Sequence, residues 1–141
     1  MTVSLIAVLV AAIVMFVIGA VWYGALFTRQ WRALQGVPEN APMTGMAQTL
    51  VGGFIVTLVM AYVLARFVVH YAAPSFGEGV LTGFMAWIGF AATVTANQIL
   101  YEKRPWLLWA INNGYLLIGL VVMGAILGWW HAGAAPAAGG A

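Results

Sequence analysis

Four apolar runs of about 20 residues constrain this chain more than any other feature, because each is long enough to cross a hydrocarbon core of about 30 Å as a helix rising about 1.5 Å per residue. Backbone groups inside a bilayer are satisfied only in helices or closed barrels, and runs of this length fit helices. The runs fill most of the 141 residues, so no soluble domain fits beside them. Charged residues are 6% of the chain and mean hydropathy is +1.02, against roughly a quarter charged in soluble proteins. The expected fold class is an all-α integral membrane protein, a four-transmembrane-helix bundle of two antiparallel hairpins in a loose repeat.

The helices are expected at about 3–27, 47–69, 80–100 and 107–130, within one membrane domain over 1–130. The tail, 131–141, is Ala, Gly and Pro without charge, a composition that stays disordered. No Lys or Arg precedes the first run, and it exceeds the apolar core of a signal peptide, so it is expected to remain in the mature protein. Between the first two spans, Phe27, Trp31 and Leu34 alternate with Arg29 and Arg32 as a short interfacial helix over about 29–35. Gly36 and Pro38 stop it, and Glu39, Asn40 and Pro42 return the chain to the membrane.

Small residues mark the packing faces. Gly19 would admit a neighbouring backbone below the Trp22-Tyr23 pair. Gly53, Thr57, Ala61 and Ala65 recur every fourth residue on the second span. On the third, Gly79, Gly83, Ala86, Phe90, Thr93 and Asn97 alternate spacings of four and three, the seam of a left-handed helix pair. Gly114, Gly124 and Gly128 share a face of the fourth. Four helices satisfy only some of these faces, so beside the lipid bilayer a homodimer or higher homo-oligomer is expected.

Counting Lys and Arg near the membrane, Arg29, Arg32, Lys103 and Arg104 lie on one side and Arg66 on the other. Arg66, one turn from a helix end, can snorkel to the headgroups. The positive-inside rule puts both basic loops in the cytoplasm and both termini outside.

Most strongly polar side chains lie around the turn between the last two spans. Asn97, Asn112 and Asn113 fall at similar depth and should face one another, since an unbonded amide in hydrocarbon is costly. Tyr23 and Tyr115 could join them, Gln98 and Glu102 lie at i and i+4, and Glu102, Lys103 and Arg104 could pair locally. Two readings stand: a hydrogen-bond network fixing helix register, or a cytoplasm-facing cluster for a small polar ligand, lipid headgroup or ion. Catalysis is disfavoured, because amides do not exchange protons near neutrality and the one carboxylate has no partner. At the other end His70, Glu78 and His131 read as solvated helix ends; their spacing matches no zinc site, and neither metal nor cofactor is expected. A net charge of +2 is too small to argue for nucleic acid, and without cysteine neither disulfides nor thiol chemistry arise.

Trp22-Tyr23-Gly24-Ala25-Leu26-Phe27, the Glu102 to Pro105 turn, and Asn112-Asn113-Gly114-Tyr115 followed by Gly124 resemble bacterial membrane proteins of the domain of unknown function 1761 family. The likeness covers the chain up to its tail and departs from the family pattern at Ala25, where proline is frequent. It implies a four-helix inner-membrane protein without assigned activity. Small multidrug exporters, which need a carboxylate in the first helix, are a poor comparison: none lies between Val3 and Phe27. The expected function is binding or transport of a small polar ligand or lipid headgroup, the alternative an accessory subunit that oligomerises through its small-residue faces.

Overall fold

The structure, a computed structural model, describes residues 2–35, 45–71 and 74–132. Those residues are helical and hold no strand. α1 (Leu5–Val21) runs on into a π-helical turn, Trp22–Leu26, and α2 (Thr28–Gln35) follows. α3 is Met46–Tyr71, and α4 (Phe76–Ala86), a second π segment (Trp87–Ala92) and α5 (Thr93–Glu102) form one continuous third span. α6 is Trp106–His131. Four helices are therefore long and apolar enough to cross a membrane: Leu5–Leu26, Met46–His70, Phe76–Glu102 and Trp106–His131. The helix stop at Gly36 and Pro38, the returning loop through Pro42 and the tail from 133 onward lie outside the described residues.

Local chemistry sets the ends. Ser4 Oγ accepts from the Ala7 N–H at 3.2 Å and Ser75 Oγ from the Glu78 N–H at 3.0 Å, each satisfying a first-turn donor. The Ser75 cap starts the third span earlier than Val80, the residue at which the apolar run begins. α5 ends at Lys103, whose left-handed conformation (φ 55°) is unusual for a residue with a Cβ, and Pro105 leads into α6.

α6 is the hub, touching α1, α3 and α4. Its Leu120, Met123 and Leu127 meet Ala7, Ala11, Ala12 and Met15 of α1 and Ala61, Leu64, Ala65 and Val68 of α3 in one core. Without water to exclude, membrane helices associate through close van der Waals contact, and small residues permit it. A Cβ on Gly79 would overlap the Gly124 carbonyl, one on Gly83 the Leu120 carbonyl, and one on Gly128 the Ser75 carbonyl, so α4 and α6 touch backbone to backbone. Thr57, Ala61 and Ala65 are buried too, while Gly53, at the start of that row, is exposed. These faces, the reason for expecting an oligomer, are thus largely covered within one chain. A side chain rather than a backbone fills the space at Gly19: the Tyr115 ring lies 3.1 Å from where a Cβ would stand. Gly114 makes room for Trp22 and Gly119 for Met15 in the same way.

Two expectations fail. The predicted stripe on the third span holds through Gly83 and half-buried Ala86 but not beyond: Phe90, Thr93 and Asn97 are exposed, and Ala92 and Ile99 are buried instead. The intervening π segment carries about one extra residue and so turns everything after it by about 100°. His131 belongs to α6 rather than to a solvated end. It is 2% exposed, its Nε2 accepts from the Ser4 N–H at 3.0 Å, and its Nδ1 meets the Leu127 carbonyl at 2.8 Å. A carbonyl only accepts, so the proton is on Nδ1 and the ring is neutral.

Candidate functional site

Consecutive residues on a helix point about 100° apart, so Asn112 and Asn113 cannot face one neighbour. Asn112 Oδ1 accepts from the Tyr23 hydroxyl of the first span at 2.7 Å. Asn113 turns to the third span, its Nδ2 donating to Thr95 Oγ1 at 2.8 Å and back to the Trp109 carbonyl at 3.1 Å. Because that carbonyl can only accept, the amide orientation is fixed.

Both neighbours present π-helical backbone, whose widened turns leave carbonyls for side-chain donors. On the first span, the Phe27 N–H reaches back to the Trp22 carbonyl at 2.9 Å, the Thr28 hydroxyl donates to the Tyr23 carbonyl, and the Trp22 indole N–H crosses to the Ile111 carbonyl at 2.8 Å. On the third, the Trp109 indole N–H donates to the Ala92 carbonyl at 3.2 Å and the Thr95 hydroxyl to Ala91 at 2.6 Å. The first turns of α6 are thus clasped between two π segments, each opening on Trp-x-Gly: Trp22 and Gly24, Trp87 and Gly89.

Between α5 and α6 lies a cleft of about 210 Å³. Thr95, Ile99, Leu108 and Trp109 line it together with the polar Gln98, Asn112 and Asn113, and with Glu102 and Arg104. The Glu102 and Arg104 charges stand 3.8 Å apart and are about half exposed, a pairing weak enough to leave both open to a ligand. Asn113 is 1% exposed, and its Oδ1 has no hydrogen-bond partner.

Five of the residues singled out from sequence, Gln98, Glu102, Arg104, Asn112 and Asn113, therefore meet at one cleft. Tyr23 and Tyr115 do not line it. They stack edge to face at 5.5 Å on the α1 side of α6, where the Tyr115 hydroxyl approaches the Met15 carbonyl at 3.5 Å. Asn97 points away and is exposed, so the expected convergence of three amides reduces to two; the rotation at the π segment is the cause. Sequence reading missed Thr95 and Trp109. Trp109 does carry a signal, four residues before Asn113 on the same helix face.

This lining offers amide and hydroxyl donors and acceptors, one carboxylate and one guanidinium, which is recognition chemistry rather than a nucleophile with its base. At the other end His131 is taken up by Ser4, and no three His, Asp or Glu among the described residues group as metal ligands.

The model of the family described as protein of unknown function (DUF1761) matches residues 6–128 of the chain. No curated protein and no solved structure matches it.

Proposed function

We propose, for a chain that belongs to the DUF1761 family of proteins of unknown function, that the cleft between α5 and α6 binds a small polar ligand or a lipid headgroup. One observation carries the reading: the unpartnered Asn113 Oδ1 in the lining. Buried acceptors are almost always hydrogen-bonded, and one left unpaired costs about 1–3 kcal/mol. A ligand bringing an N–H or O–H recovers that free energy, worth roughly ten- to a hundredfold in affinity. Glu102 and Arg104 suit a ligand carrying both a cationic and an anionic group, such as a zwitterionic headgroup.

Taken with the excess of Lys and Arg at this end, the reading puts the cleft on the cytoplasmic side of a bacterial inner membrane, with both termini outside. Binding is the minimal claim, and transport would use the same cleft. The accessory-subunit alternative loses its motive, since the glycines that suggested oligomers face one another within the chain.

The test is a thermal-shift screen in detergent with phosphoethanolamine, glycerol phosphate and short amines, on wild type and Asn113→Leu. A compound that raises the wild-type Tm and leaves Asn113→Leu unmoved supports the cleft. If none shifts the wild type, or the shift survives Asn113→Leu, the reading fails.

A further inference from the structure

A second, apolar groove lies on another face of the molecule. α3 contacts α4, but it has little contact with the π segment and α5 that continue the same span, so the second and third spans part beyond Ala86. The gap is about 400 Å³, within the range of ligand pockets, and is walled by Met60, Val63 and Phe67 of α3 and by Ala86, Phe90 and Ala91, with Leu120 of α6 behind. The π segment leaves two alanines on this wall and turns Phe90 outward, 70% exposed, so no large side chain fills the space.

The groove does not end in hydrocarbon. Val63 and Phe67 also belong to a helical stripe, i, i+3, i+4 and i+7, that continues through Arg66 to His70 and lines a recess of its own. Arg66 is exposed and five residues from the end of α3, about 7 Å inside it. Among the described residues it has no carboxylate partner. A guanidinium at that depth is satisfied by an anion at the headgroup level.

We propose that this groove binds one anionic phospholipid, its phosphate on Arg66 and His70 and one acyl chain running past Val63 and Phe67 to the gap at Ala86 and Ala91. The choice of occupant follows from the join: a basic head site opening directly onto an apolar channel fits an amphiphile with a negative head. The site is separate from the cleft between α5 and α6 and stands or falls on its own.

Native mass spectrometry of the full chain, released from detergent with equal amounts of phosphatidylglycerol and phosphatidylcholine of the same acyl chains, tests it. The expected result is one retained lipid per chain with at least a fivefold preference for phosphatidylglycerol. Arg66→Gln, at an exposed position that folding tolerates, should remove the preference. Ala91→Phe, which fills the gap, should reduce retention of both lipids, and Glu102→Gln should change nothing. Competition by inorganic phosphate alone would show an anion site without a chain channel and overturn the proposal. Equal retention of the two lipids by wild type, or a preference surviving Arg66→Gln, would overturn it as well.

Discussion

At the scale of single residues, Asn113 and His131 are both buried polar groups, and the structure assigns them opposite behaviour on substitution. His131 uses both ring nitrogens, one on the Ser4 N–H and one on the Leu127 carbonyl, tying the start of the first span to the end of the fourth. His131→Phe keeps the volume and loses both bonds, so it should lower stability by about 1–3 kcal/mol, seen as a drop in Tm in detergent. Asn113→Leu removes an amide that already leaves one atom unpaired. The Thr95 hydroxyl keeps its bond to the Ala91 carbonyl, so stability should stay within about 1 kcal/mol of wild type by the same assay. A large loss there would make Asn113 a structural residue and count against the binding cleft. Neither contrast could be read in advance: a His one step past a hydrophobic run looks solvated, and only the approach of Ser4, 127 positions away in sequence, buries it.

At the scale of elements, the spans were legible because the length of an apolar run and the bilayer together dictate a helix. Their faces were legible only up to the π segments. An α-helical wheel carried through Trp87–Ala92 puts Asn97 inward, whereas the true turn brings Thr95 and Ile99 to α6. The chain has no cysteine, so paired cysteines can measure this directly. A Thr95→Cys, Asn113→Cys double variant should form a disulfide under mild oxidation, because the native side chains meet at 2.8 Å. Deleting Ile88, which faces outward within the π segment, should abolish that crosslink by turning α5 about 100° back toward the regular wheel. A crosslink of unchanged yield would mean that the π segment does not set the register of α5.

At the scale of the whole molecule, the family match and four membrane-length helices describe what the chain is, and the α4–α6 contact describes how it holds together. Gly124→Leu has to push a side chain into the Gly79 backbone. It should therefore lower Tm by more than 10 °C, the response to overpacking of about 1–3 kcal/mol or more in a small protein, without first changing the oligomeric state on size exclusion. A clean shift from dimer to monomer at unchanged Tm would return that face to an intermolecular role.

The same two spans that are locked through Gly79, Gly83, Gly124 and Gly128 at one end share only a loose seam at the other, where the cleft lies. Such a pair works like tweezers: the glycine joint is a fulcrum, and small rocking there becomes the widest displacement at the far tips. Amide exchange should accordingly be slow near Gly124 and quicken along α6 toward Trp106, so that any guest entering between the tips pries apart the only ends free to yield.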